Sequence, residues 1–231
     1  MKDVIIACDF SSTEKLYSFL EMFGDEKPYI KIGMELFYKT GSNVVSDLAK
    51  RGFKIFLDLK LHDIPNTVYK AMRNIAGLGV EITNVHASGG IEMMKMAKKG
   101  LLEGAVDGKT PKLIAVTQLT STDERMLKEE LLIDAGIANT VKKYAENAKE
   151  AGLDGVVCSP LEAPIIKEMG MLSVTPGIRL ATDAVGDQKR VTTPEMAREL
   201  GSAYIVVGRT ITDAKNPLET YKLVRKQFLG L

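Results

Sequence analysis

Apolar positions recur along the chain in two alternating rhythms. Segments with apolar residues at three- and four-residue spacing, such as Leu16, Phe19, Leu20 and Phe23 or Ile137, Val141, Tyr144 and Ala148, predict amphipathic helices. Between them lie short runs that are almost wholly apolar, the pattern of parallel strands covered on both faces. Five times a helical segment closes on a glycine and a strand-like run follows: "KRGFKIFLDLK", "GLGVEITNVH", "EAGLDGVVCS", "EMGMLSVTP" and "ELGSAYIVVG", with Gly52, Gly79, Gly152, Gly170 and Gly201 at the turns. Glycine just past a helix end takes the left-handed conformation with no Cβ clash, so this punctuation suits an α-to-β turn. With "VIIACD", "YIKIG" and "KLIAVTQLT" the strands number about eight, each followed by a helix-sized segment, which predicts an α/β fold, a single (β/α)8 barrel. An open doubly wound sheet is the alternative, but "ACDFSSTEK" after the first strand lacks its phosphate-binding glycine fingerprint. No linker or low-complexity stretch divides the chain, so residues 1–231 are expected to form one catalytic domain.

Composition narrows the classes of partner. Of 231 residues 45% are hydrophobic, enough for a sizeable core. Lys plus Arg number 31 against 30 Asp plus Glu, and the net charge of +1 gives no global field to attract nucleic acid or an anionic membrane. Any anion must be held by local groups. Cys8 and Cys158 are far apart in apolar runs, so buried reduced thiols are favoured over a disulfide or a metal site, as fits a cytoplasmic protein. The apolar run from Val4 to Cys8, stopped by Asp9, is too short for a signal peptide or a membrane span, and the chain is expected to be soluble and unprocessed.

In barrels of this kind the active site lies at the C-terminal ends of the strands, and there the non-apolar residues gather. The ends carry Asp9, Lys31, Asp58 with Lys60, His86, Thr117 to Thr120, Ser159, Arg179 shortly after Pro176, and Gly208 with Arg209. The stretch "FLDLKLHDIPNTV", from Phe56 to Val68, begins as a buried strand and then places Asp58, Lys60, His62 and Asp63 close together. Strand side chains alternate, so Ile55, Leu57 and Leu59 face the helices while Phe56, Asp58 and Lys60 face the barrel interior. Two positions rise by about 6.6 Å, which lets a carboxylate and an ammonium pair. Pro65 is suited to begin the next helix, with Asp63 in the turn before it. A buried ion pair plus a helix cap is the bland alternative for this cluster. Met93, Met94 and Met96 suit helix packing, Lys98 to Gly100 resembles a solvated helix end, and His86 fits a structural histidine as well as a catalyst.

The spacing Asp58-x-Lys60-x-x-Asp63 resembles the signature of the orotidine 5′-phosphate decarboxylase family. "ACD" with Asp9, "KIG" with Lys31, "DLKLHDIPNTV", "NVHASGG", "VTQLTS", "VTPGIR" and "VVGRTIT" resemble that family's blocks in order over nearly the whole chain. The resemblance implies loss of CO₂ from orotidine 5′-monophosphate to give uridine 5′-monophosphate in de novo pyrimidine biosynthesis, with no metal or organic cofactor. It implies that Lys60 donates the proton to the pyrimidine carbon that loses its carboxylate, with Asp58 beside that carboxylate. The resemblance further implies that Asp9 and Lys31 bind ribose hydroxyls, with Lys31 also joining a Lys-Asp-Lys-Asp charge network. Asp63 and Thr67 reach the neighbouring subunit's site, so a homodimer is implied. By the same resemblance Thr120 would address the pyrimidine edge, Gln188 would bridge base and phosphate, and Arg179, Gly208 and Arg209 would hold the phosphate.

The chemistry fits these residue types. Electron density left on a ring carbon without a conjugated sink calls for fixed charge at that carbon, which an ammonium supplies together with the final proton. Flanking carboxylates Asp58 and Asp63 favour the charged ammonium against burial. With Asp58 beside the substrate carboxylate, as the resemblance implies, their repulsion would be a source of ground-state destabilisation whose extent the sequence does not set. Phosphate binding far from the breaking bond can order the site, and the segment from Gly177 to Val191, with Gly177 and Gly186 as pivots, has the length of a closing lid. Two rivals stand beside this reading. A magnesium-dependent sugar-phosphate enzyme shares the Asp-x-Lys-x-x-Asp spacing but resembles this chain less at the second strand, where it offers a Glu and this chain offers Lys31. A non-catalytic pyrimidine-nucleotide sensor has no use for Lys60 between carboxylates.

Overall fold

The computed structural model describes residues 2–181 and 192–231. Eight parallel strands, β1 (Asp3–Ala7), β2 (Tyr29–Gly33), β3 (Ile55–Leu61), β4 (Ile82–His86), β5 (Lys112–Val116), β6 (Gly155–Val157), β7 (Leu172–Thr175) and β8 (Tyr204–Val207), pair in chain order, and β8 pairs with β1 to close the barrel. Helices between the strands cover its outside, giving the (β/α)8 barrel expected from the periodicity. Gly52, Gly79, Gly152, Gly170 and Gly201 all have positive φ, between 72° and 89°, so the turn chemistry read from the sequence is present at these five α-to-β junctions. Among the described residues no helix is long and apolar enough to cross a membrane.

Strand alternation divides the apolar residues between two cores. Val4, Ile6, Ile30, Ile32, Ile55, Leu57, Leu113, Ala115, Ile205 and Val207 face outward and pack under helix residues such as Leu16, Phe19, Leu48, Met72, Val141 and Phe228. Their neighbours Ile5, Tyr29, Phe56, Ile82, Ile114, Val174, Tyr204 and Val206 face inward and fill the barrel. Tyr29 and Tyr204, the first residues of their strands, set their rings edge to face at 6.1 Å near the bottom of the barrel. The interior is therefore a packed floor below an open upper end.

The run from Lys98 to Gly100 differs from its sequence reading. It lies inside the helix Gly90–Glu103, Gly100 is buried, and Lys98 Nζ is 2.6 Å from Asp154 Oδ2. A Cβ at Gly100 would stand 2.3 Å from the Tyr69 carbonyl oxygen, and one at Gly104 2.1 Å from that of Arg73. Two glycines four residues apart thus let this helix lie directly on the backbone of the helix Pro65–Ala76, which follows β3. The lysines hide the signal, because their charge suggests solvent while the glycine spacing forms the contact face. Gly100→Ala is expected to lower stability by about 1–3 kcal/mol from overpacking, despite the gain of about 1 kcal/mol in helix propensity. Thermal unfolding measures it; an unchanged or raised Tm would show that the two helices are not held together here.

Candidate active site

The upper end of the barrel opens into a cavity of about 690 Å³, a size suited to a small ligand. Its floor is apolar, with Ala7, Phe56, Val174 and Val206, and its rim carries the charged and polar groups. Asp9, Lys31, Asp58, Lys60, Thr120, Arg179, Gly208 and Arg209, all expected site residues, line this one space.

Four of them form a continuous chain of alternating charge. Lys31 Nζ lies 2.8 Å from Asp9 Oδ1 and 3.3 Å from Asp58 Oδ2, and Lys60 Nζ lies 2.7 Å from Asp58 Oδ1. Lys31 and Asp58 are 9% and 7% exposed, so the centre of the chain is buried while Asp9 reaches solvent. Burial acts to lower the pKa of Lys31, but the carboxylates of Asp58 and then Asp9 outweigh it and raise it. Burial likewise acts to raise the pKa of Asp58, and the ammonium groups of Lys31 and Lys60 reverse this and hold it below the ordinary carboxylate range. Gly33, which closes β2, leaves room for the pair: a Cβ there would meet Asp9 Oδ1 at 2.9 Å and Lys31 Nζ at 3.3 Å.

Lys60 occupies an unusual backbone. β3 and β4 are in register at Phe56↔Ile82 and Leu57↔Thr83, but the next partners are Leu61↔Val85, so four steps on β3 face two on β4. Within this bulge Lys60 has φ 52°, a left-handed conformation that costs a non-glycine residue about 1–2 kcal/mol. Its amide N–H donates to Asn84 Oδ1 at 2.8 Å, and Asn84 Nδ2 donates to Asp58 Oδ1 at 2.7 Å. Sequence reasoning did not single out Asn84. The available signal was alternation along β4: with Ile82 inward, Asn84 is also inward, a polar group beside the β3 cluster. Gln118, 9% exposed and in the cavity lining, was likewise not singled out between Thr117 and Thr120.

Other expected residues stand outside the lining. Asp63 and Thr67 are exposed, and Asp63 Oδ1 accepts the Ile64 N–H at 2.7 Å. Among the described residues Lys60 is paired with Asp58, and Asp63 of the same chain does not flank it as a second ion-pair partner. Thr117 turns its hydroxyl to the Val157 carbonyl, and Ser159 caps the short helix Pro160–Glu162, accepting the Leu161 N–H. His86 lies beside His62, ring centroids 5.8 Å apart, and its pKa is lowered by burial, then by His62 and Lys60. Cys8 and Cys158 are both buried. Gln188, Gly186 and the rest of the expected lid from 182 to 191 lie outside the described residues. Arg179 N–H donates to the Thr192 carbonyl, and Thr192 N–H to that of Gly177, whose φ is 82°.

The model of the orotidine 5′-phosphate decarboxylase / HUMPS family matches residues 2–224. The chain is similar to orotidine 5′-phosphate decarboxylase of Bacillus cereus (strain Q1), 55% identical over 234 aligned residues that cover 100% of this chain and 98% of that protein. Among solved structures it is similar to orotidine 5′-phosphate decarboxylase from Lactobacillus acidophilus, with 45% identity, a TM-score of 0.90 and 99% of each chain covered. An uncharacterized conserved protein from Geobacillus kaustophilus is similar at 47% identity and a TM-score of 0.87, over 97% of this chain and 99% of that one.

Proposed function

The chain belongs to the orotidine 5′-phosphate decarboxylase / HUMPS family, and from that premise we propose that it converts orotidine 5′-monophosphate to uridine 5′-monophosphate and CO₂ by direct protonation from Lys60, without a metal. It is a carboxy-lyase of pyrimidine biosynthesis. The observation that carries the mechanistic reading is the chain Asp9–Lys31–Asp58–Lys60 at the mouth of a cavity that Arg179, Gly208 and Arg209 also line.

In this reading the bond between the pyrimidine ring and its carboxylate breaks, CO₂ leaves, and the electron pair stays on the ring carbon. The ammonium of Lys60 faces that carbon, stabilises the developing charge and transfers a proton to it; the resulting amine regains a proton from water. Asp58 lies beside the departing carboxylate and keeps Lys60 aimed through its 2.7 Å contact. Asp9 and Lys31 take the ribose hydroxyls, Thr120 meets the pyrimidine edge and Gln188 joins base to phosphate. Arg179 and Arg209 supply planar forks for phosphate oxygens at the ends of β7 and β8, where barrels of this kind commonly bind phosphate.

The donor set supports metal-free chemistry. Both oxygens of Asp58 already face ammonium groups, and at the second strand Lys31 stands where a magnesium site needs an oxygen ligand. Asp63, Ile64 and Thr67 are exposed just after β3, with the apolar Ile64 67% exposed, which supports a homodimer in which Asp63 and Thr67 complete the partner's site.

Purified protein with orotidine 5′-monophosphate in excess EDTA tests the assignment. Rapid ultraviolet change with stoichiometric uridine 5′-monophosphate is expected. Silence from the folded protein in EDTA, with turnover of sugar phosphates on adding Mg²⁺, would overturn it.

A further inference from the structure

We propose that Asn84 is a positioning residue for the decarboxylation, holding the Lys60 backbone and the Asp58 carboxylate in the one arrangement that aims the Lys60 ammonium. The proposal rests on the reading of Lys60 as proton donor given above.

The bulge in β3 creates the need. Where β3 slips against β4, the Lys60 N–H leaves the strand ladder and points at the side chain of Asn84, on β4. The Lys60 N–H is part-buried, and leaving such a donor without an acceptor is costly, so a partner that accepts that proton favours the left-handed turn at Lys60. Asn84 Oδ1 does so at 2.8 Å. The other end of the same amide donates to Asp58 Oδ1 at 2.7 Å, and that oxygen also receives Lys60 Nζ at 2.7 Å. Backbone N–H, amide, carboxylate and ammonium therefore close a ring that begins and ends on Lys60. The partners fix the amide's orientation, because its reversal would set NH₂ against N–H and carbonyl against carboxylate. Asn84 is 0% exposed and is not among the residues lining the cavity, so it acts through Lys60 and Asp58 and touches no substrate.

Two substitutions separate positioning from general support. Asn84→Ala removes both bonds and is expected to lower kcat about 100-fold, the scale of a small misplacement of a reacting group. Affinity for uridine 5′-monophosphate is expected to stay within about threefold, because the groups that touch the nucleotide remain. Asn84→Asp keeps the shape. Its protonated form accepts from Lys60 N–H and donates to Asp58 as the amide does, whereas its ionised form repels Asp58. The charged and titratable groups around that position are Asp58 and Lys60 on β3, Lys31 beyond Asp58 on β2, His86 on β4 and His62 after β3. The activity of Asn84→Asp relative to wild type should rise as pH falls, while that of Asn84→Ala stays low throughout.

Wild type is assayed beside both variants. A kcat within about threefold of wild type in both variants overturns the proposal, as does a loss of kcat matched by lost nucleotide affinity with no pH-dependent recovery in Asn84→Asp. If Asn84→Ala fails to fold, the pH profile of Asn84→Asp decides alone. Wild type that releases no CO₂ from orotidine 5′-monophosphate marks failure of the underlying assignment, which differs from an active wild type with unaffected variants.

Discussion

Replacing Lys60 by alanine lowers kcat/KM for orotidine 5′-monophosphate by at least about 10⁴-fold, because one change removes both a fixed charge at the reacting carbon and the proton that ends the reaction. Losses of about 10²–10³ for an electrostatic donor and 10²–10⁴ for a general acid set that scale when they act together. Uridine 5′-monophosphate should still bind, since Arg179, Arg209 and Thr120 remain in the cavity wall. The ultraviolet assay and a nucleotide titration on the same variant check both parts. A variant that retains activity removes Lys60 from the chemistry and restores the sensor as a contender. The inactive variant has a second use. If Asp63 serves the partner's site, mixing Lys60→Ala chains with Asp63→Ala chains gives dimers in which one site carries both lesions and the other neither. Activity should then return, with roughly a quarter of all sites intact in an equal, freely exchanging mixture. No recovery on mixing would confine Asp63 to its own chain.

Much of this site was legible because its logic is local. Alternation along "IFLDLK" points Asp58 and Lys60 inward, and both line the cavity, while the helix-ending glycines mark where five of the eight strands start. Asp9, Lys31, Thr120, Arg179, Gly208 and Arg209 follow from their places at or just past the C-terminal parts of the apolar strand runs. The rule over-reaches where a strand-end side chain satisfies the backbone: Thr117 and Ser159 occupy suitable positions and turn to neighbouring main-chain groups. It falls short where the feature depends on two strands at once. The β3–β4 slip that gives Lys60 its left-handed backbone, and Asn84 its two bonds, is a property of register that neither strand shows alone. The glycine contact at Gly100 and Gly104 was obscured for a related reason, since it needs the partner helix before the spacing has meaning.

Asp58→Asn is expected to carry the largest stability effect in the site. The substitution keeps size and shape but deletes the charge that Lys31 and Lys60 share, leaving the ammonium of Lys31, 9% exposed, with Asp9 alone at the solvent edge. Removing one member of a buried ion pair typically costs about 3–5 kcal/mol, because the remaining charge stays desolvated. For a chain of this length that corresponds to a Tm lowered by roughly 6–20 °C. The pH dependence has a definite sign. Asp58 has a lowered pKa in the folded state, so its contribution is complete above the unfolded carboxylate value of about 3.9 and is lost as pH falls through the lower folded value. Lys31 has a raised pKa, so its contribution is complete below about 10.4 and is lost as pH rises through the higher folded value. The gap in Tm between wild type and variant should therefore be flat from about pH 5 to about pH 9 and narrow at both extremes. Equal Tm values at neutral pH would show that Lys31 is relieved by solvent and that the central carboxylate is retained for chemistry alone. A wide, flat gap would show that the charge chain that aims Lys60 also holds the barrel's upper end together, so that activity and stability fall together when Asp58 is lost.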